Sequence, residues 1–360
     1  MTQQVEPGMV FPQGLSTGEP AVARRLVSAL GPALLGGFVA LGLGAFLVRM
    51  AGADPLAAYG VMVRGALGGQ RQLTETILTA CPLLIIGLGL AVAFRSQVWN
   101  IGAEGQYFMG ALAGGFLALQ LGDLPKALLA PLILAGGLAG GALWALIPGL
   151  LRTRRGISEI ITTLMLNYVA VLLLQYLARG PLRDPAGYLP QSAQFADAAR
   201  LPIVWSPRIH LGVVLAFLLV PLVYLLIWRT PLGFRLRAIG ANANVARFAG
   251  INVESGILLA LMVSGALAGL AGVIEVTSLH LRLKGAISGG YGFSAILVAL
   301  LGRMNPLGIV VAALFFAALT IGAEAMHTAY GLPAALAQAL QAIIVLFVLG
   351  ADAYFRMRNS

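Results

Sequence analysis

Long apolar stretches separated by short polar or glycine-rich joints make up most of the chain. They fall at roughly 26–48, 73–94, 103–121, 127–150, 157–178, 209–228, 256–275, 290–302, 307–323 and 334–350. Most approach the ~20 residues that a helix needs to cross the hydrocarbon layer of a bilayer. The pattern predicts an all-α polytopic membrane protein with about ten transmembrane helices, because a helix satisfies its own backbone where water is absent. The third, eighth and last two stretches are short or interrupted, so broken or re-entrant segments are expected there. The apolar runs are continuous and do not alternate, which disfavours a β-barrel. Small residues at close spacing in LAGGLAGGALWALIPGL (Leu134 to Leu150) predict close helix packing.

Two joints carry unusual chemistry. The first, FRSQVWNIGAEGQYFMG (Phe94 to Gly110), sets Asn100, Glu104 and Gln106 between two apolar segments. A carboxylate facing lipid at mid-membrane costs about 2.5 to 3.5 kcal/mol, so Glu104 must lie in an interfacial turn or face a protein or water-lined interior. The residues alone leave both arrangements open. The second, SGGYGFSAILVALLGRMNP (Ser288 to Pro306), reads as a glycine cluster before a short apolar run, which fits a half-helix as well as an ordinary short helix. Other polar residues within apolar stretches are Glu159, Asn167 and Tyr168 in GISEIITTLMLNYVA, then Gln338 and Gln341. Glu275, His280, Glu324 and His327 are expected near the outer ends of their spans, where solvent contact explains them as well as function does.

Composition supports this frame, with 59% hydrophobic and 10% charged residues over 360 positions. The net charge of +10 is spread singly, with Lys126 and Lys284 as the two lysines, and gives no nucleic-acid patch. Cys81 stands alone, which leaves no disulfide framework and no metal cluster. No GxxxxGK[ST], HExxH or GxSxG occurs, so the chain carries no nucleotide-cradling loop and no recognisable catalytic signature.

Arginine placement sets the expected topology. Arg24, Arg25, Arg95, Arg152, Arg154, Arg155, Arg229, Arg235, Arg237, Arg247, Arg303, Arg356 and Arg358 all fall on one side if the N-terminus is inside, most clearly in the short joints LRTRRG and RTPLGFRLRAIG. Both termini are then cytoplasmic: a disordered tail over 1–25, a transmembrane domain over 26–350 and a tail over 351–360. Outer connections are expected over Met50 to Gln72 and over 179–208. A cytoplasmic loop over 230–255 contains ANANVARFAG, which predicts a short helix capped by Asn242 or Asn244 with Arg247 beside Phe248. Such a helix suits a docking knob for a cytoplasmic partner, and a basic loop touching anionic lipid is the alternative.

The segments FRSQVWNIGAEGQYFMGAL, ISEIITTLMLNYVA, RAIGANANVARFAGINV and GGYGFSAILVALLGRMNPLG together resemble bacterial ATP-binding cassette (ABC) importer permeases of the branched-chain amino acid, ribose and nucleoside group. The resemblance runs from about Leu26 to Gly350 and is closest to the larger purine nucleoside permeases. It implies a second homologous permease, a cytoplasmic ATPase carrying ATP and Mg, an extracytoplasmic substrate-binding lipoprotein, and a multi-pass place in the bacterial inner membrane. It implies no enzyme activity and no cofactor in this chain. By the same resemblance, Ala241, Asn242, Asn244, Ala246, Arg247, Phe248 and Gly250 form the ATPase-coupling segment. Asn100, Glu104, Gln106, Tyr107, Asn167, Tyr168, Tyr291 and Phe293 are expected on the solute pathway, with helix-break architecture as the other role for the first three. Purine nucleosides are the favoured solute, ahead of other purine-like solutes and simple sugars. An ion-coupled secondary transporter is the rival class, because broken helices with buried acids suit ion coupling.

Overall fold

In the computed structural model, residues 21–205 and 208–331 are described, with 339, 342–347 and 350–351 beyond them, and side chains are described from residue 36. Residues 1–20, Gln338, Gln341, Arg356, Arg358 and part of the expected last span lie outside the described residues.

Helices follow the apolar stretches: α1 (Ala21–Met50), α2 (Pro55–Leu67), α3 (Gln70–Arg95), α4 (Ala103–Gln120), α5 (Lys126–Arg155) and α6 (Glu159–Arg179). After them come α7 (Leu211–Arg229), α8 (Pro231–Ala241), α9 (Ala243–Phe248), α10 (Val253–Glu275), α11 (Tyr291–Leu301) and α12 (Pro306–Tyr330). Among the described residues six helices are long and apolar enough to cross a membrane, or seven if the bent pair α1–α2 counts as one span. Strands are confined there to a small antiparallel hairpin, β1 (Ile203–Trp205) and β2 (Ile209–His210).

α3 is the central post, with 89% of its most apolar stretch buried against 22% for α5 and for α6. α3 packs against α7, α10, α11 and α12, and on the far side of α10 the helices α4, α5 and α10 approach until backbones touch. A Cβ on Gly110 would fall 2.1 Å from Gly269 Cα, and one on Gly141 would fall 2.0 Å from the Gly265 carbonyl oxygen. The glycine-rich stretch of α5 therefore does what small residues do between helices in lipid: it replaces side-chain volume with direct dispersion contact.

Side-chain contacts sort the helix ends. The last residue of α3, Arg95, meets Trp228 at the end of α7 and Met304 after α11, and Arg152 near the end of α5 pairs with Glu159 at the start of α6. These arginine-rich corners form one basic end. At the opposite end the 180–210 connection lies against the segment after α10, with Ser192 and Phe195 donating backbone bonds to the Leu283 and Leu281 carbonyls. There Arg208 also pairs with Glu75 at the start of α3.

Four expectations need correction. The stretch from Met50 to Gln72 is no plain connection: Asp54 caps α2 by accepting from the Leu56 amide, with Pro55 at the first helical position. α1 and α2 meet at 112°, and α2 packs on α12, where a Cβ on Gly65 would fall 2.2 Å from Ala325 Cβ. α1 begins at Ala21, inside the tail expected over 1–25. Glu275 is buried, because α10 runs on through a π turn (Val276–His280) whose Thr277 carbonyl accepts from the Leu201 amide of the 180–210 connection. Finally, the joint after α7 holds two helices, α8 and α9, where the sequence suggested one.

Candidate functional site

Two helices of the bundle start away from its ends. α11 has 11 residues and ends at the basic corner, so it rises about 16 Å. That is roughly half the hydrocarbon thickness, and it places the α11 N-terminus near the middle of the bundle. α4 begins at the same level and runs the other way. The two N-termini meet head to head: the Glu104 carboxylate accepts from the Gly292 amide at 2.6 Å and from the Ser288 hydroxyl. Both are positive dipole ends, which is the setting in which a carboxylate is stable away from water. The approach requires glycine, since a Cβ on Gly292 would lie 2.2 Å from the Glu104 amide nitrogen.

The segment 96–102, which leads from α3 into α4, is held from within. Asn100 Nδ2 donates to Gln106 Oε1 at 2.7 Å and to Ser264 Oγ at 2.9 Å. Its Oδ1 accepts from the Gly102 amide and from Gln106 Nε2, both at 3.0 Å. One face of α6 grips the backbone of the same segment at positions four apart. Glu159 accepts from the Trp99 amide, Thr163 Oγ1 accepts from the Ile101 amide, and Asn167 accepts from the Gly105 amide at 2.8 Å while donating to the Ile101 carbonyl at 2.9 Å. Asn100, Gln106 and Asn167 are all buried. Thus every backbone group named here that the break frees from helical bonding finds a side-chain partner, as an apolar surround demands.

The segment 281–290, which leads into α11, is built differently. Ser288 Oγ accepts from the Gly290 and Tyr291 amides, and Tyr107, fully buried, donates its hydroxyl to the Ile287 carbonyl at 3.0 Å. His280 lies 3.8 Å from Glu275 and 3.2 Å from the Ile287 carbonyl. On its far side this segment borders a cavity of about 630 Å3. Gly289, Gly290, Tyr291, Phe293, Ser294 and Leu297 line one wall, and Phe316, Thr320, Glu324 and His327 of α12 another, with Leu83, Ala342 and Val345 completing it.

Of the residues expected on the solute pathway, Tyr291 and Phe293 reach this cavity, and Glu324 and His327, expected only near an outer end, reach it too. Asn100, Glu104, Gln106, Tyr107 and Asn167 come together behind it, buried and bonded within the bundle. Tyr168 is elsewhere, 62% exposed on the outer face of α6 because it sits one residue, and so about 100°, from the gripping face of Asn167. Thr163, Ser264, Ser288 and Gly292 belong to the cluster and went unremarked in the sequence. For Thr163 a signal existed, since Glu159, Thr163 and Asn167 share one helical face by spacing.

At the basic end, Asn242 is the residue that caps α9, accepting from the Asn244 and Val245 amides at 3.0 and 3.1 Å. Ala241 ends α8, and Gly250 turns the chain after α9 with φ +80°. Ala246 points inward onto Ile239 and Val253, while Val245, Arg247 and Phe248 are exposed, Phe248 by 93%.

Comparison with known proteins shows the family. The family described as branched-chain amino acid transport system, permease component, matches residues 72–349. A glucose ABC transporter permease of Haloferax volcanii is 38% identical, covering 99% of this chain and 93% of its own. A guanosine ABC transporter permease of Bacillus subtilis is 35% identical, covering 91% and 94% respectively. A nucleoside ABC transporter permease of Lactococcus lactis is 32% identical, covering 85% and 86%.

Proposed function

The chain belongs to the family of branched-chain amino acid transport system permease components, as a multi-pass permease subunit of an ABC transporter, and from that premise we propose that it forms half of an import pathway for nucleosides. The observation that carries the solute class is the cavity beside the second break. Tyr291, Phe293 and Phe316 offer flat apolar faces, and Ser294, Thr320, Glu324 and His327 offer donors and acceptors. A nucleoside presents a planar base and a hydroxylated sugar, which this lining matches. Weak, multiple contacts suit passage better than one tight site. In this reading Tyr291 and Phe293 touch the solute, whereas Asn100, Gln106, Tyr107 and Asn167 hold the wall in place from behind. Glu104 joins the two half-helices, and Tyr168 faces lipid.

The sugar reading stays beside it because the glucose permease relative aligns over almost the whole chain, and a hexose also stacks on aromatic faces. Partners follow the same proposal: a second permease chain completes the pathway, a lipoprotein delivers the solute outside, and an ATPase carrying ATP and Mg docks on α9 at the cytoplasmic side of a bacterial inner membrane. Both termini then lie in the cytoplasm, and 230–255 is the docking loop.

The test is uptake into right-side-out vesicles bearing the complete complex and loaded with ATP, with labelled guanosine and labelled glucose supplied in separate assays. ATP-dependent guanosine uptake that excess glucose leaves untouched is the expected result. Glucose uptake without guanosine uptake would move the assignment to sugars, and uptake that collapses with an ionophore while ATP is maintained would remove the ABC import reading. For the docking site, Arg247→Glu is expected to release the ATPase from the purified complex, and full retention would overturn that role for α9.

A further inference from the structure

Behind the docking helix, the chain is tied to the cavity wall through one arginine. α9 is fixed to α8 by packing of Ala246 on Ile239. α8 in turn abuts the end of α3: a Cβ on Gly240 would fall 1.9 Å from the Arg95 carbonyl oxygen and 3.1 Å from Ser96 Cα, where the first break begins. Arg95 and Arg237 share the ring of Trp228, with guanidinium carbons 4.7 and 4.6 Å from its centroid. Two cations drawn to one indole repel each other, and the ring's negative faces are what hold both in register. Arg95 Nε then donates to the Met304 carbonyl at 3.1 Å, across 209 positions of sequence. Arg303 and Met304, in the corner that joins α11 to α12, both adopt φ +54°. That conformation is uncommon for side chains of this size, and such strain persists where surrounding contacts over-determine it. Both helices leaving that corner line the cavity.

We infer that Arg95 is a positioning residue that couples the docking segment to the cavity wall, with Trp228 holding its guanidinium where it meets Met304. The inference rests on the proposed docking role of α9. Displacement of α8 reaches α3 and the first break through the Gly240 backbone contact, and the α11–α12 corner through the Arg95 side chain, so both half-helices respond to the same event. The aromatic ring matters for its face and its size, hence phenylalanine can replace tryptophan here and leucine cannot.

The test uses the complete complex reconstituted in vesicles, comparing the native chain with Trp228→Leu, Trp228→Phe and Arg95→Lys. Two quantities are read: ATPase retained per permease, and solute moved per ATP hydrolysed. Coupling terms of this kind are typically 5- to 150-fold, so Trp228→Leu and Arg95→Lys are expected to lower solute per ATP by roughly fivefold or more while the ATPase stays bound. Trp228→Phe is expected to restore most of it. An unchanged ratio in Trp228→Leu and Arg95→Lys overturns the coupling role, as does loss of the ATPase or of the fold in both. A native complex that holds no ATPase at all overturns instead the docking reading beneath it.

Discussion

The two broken segments, 96–102 and 281–290, solve the same problem with opposite economies of polar groups. Each interrupts a membrane helix and ends on a helix N-terminus, and the two N-termini meet at Glu104 and Gly292. The first is held by side chains of Glu159, Thr163 and Asn167 on α6 and Ser264 on α10, and none of its residues lines the cavity beside the second. The second keeps a capping serine, glycines and aromatic rings beside a cavity. Irregular backbone within a bilayer must be buried in protein or line a cavity, and this chain does one with each half.

The strongest blow to this contrast is Gly292→Ala. Its Cβ meets backbone, which cannot rotate away, so the half-helices must separate. Over-packing of about 3 kcal/mol or more is expected, read as loss of monodisperse complex on size exclusion. A well-assembled variant would show that the α4–α11 contact is dispensable. Next, Asn167→Ala strands the Gly105 amide and the Ile101 carbonyl, and should lower stability by roughly 1 to 3 kcal/mol in a detergent melting series. Glu104→Gln comes below it: the amide oxygen still accepts from Gly292, so assembly should survive with reduced transport. Assembly lost in that variant would mark the charge itself as structural.

On the wall side, Phe293→Ala should leave melting unchanged and raise the transport KM by roughly fivefold, in line with base–aromatic stacking of about 1 kcal/mol. An equal loss of stability would erase the distinction between the two breaks. Smallest is a pH effect outside the spans. Burial pushes His210 down to about 4, so it is neutral in the folded chain, while the unfolded chain takes up a proton below about 6.5. Stability is therefore complete above that value and falls as the pH drops from about 6.5 towards 4. Melting at pH 7 and pH 5 should show a loss that His210→Gln abolishes.

Much of this architecture was legible in the sequence. Apolar runs gave α3 to α7 and α10 to α12 their places, local chemistry narrowed the α9 cap to Asn242 or Asn244, and SGGYGF left a half-helix and an ordinary short helix both open. What escaped depends on contacts distant in sequence. Nothing within a window around Ser264 says that it accepts from Asn100, 164 positions away. α2 was missed because a 13-residue helix with Arg64 inside it reads as a connection until α12 supplies its partner. The division of labour between the breaks was equally hidden: NIGAEGQ looks more like a solute site than GGYGF does, because polar side chains advertise chemistry whether they face a cavity or a backbone.

The Glu104–Gly292 bond also has a history in time. Its partners lie 188 residues apart, and ribosomes extend chains at roughly 5 to 20 residues per second, so about ten to forty seconds of translation separate them. Over that interval the nascent α4 hairpin carries a carboxylate lacking the dipole end that will receive it. Insertion of the first half must therefore leave this acid in the translocon or against water until the second half arrives, which makes α11 the keystone of biogenesis and the last α-helical half-span to be threaded home.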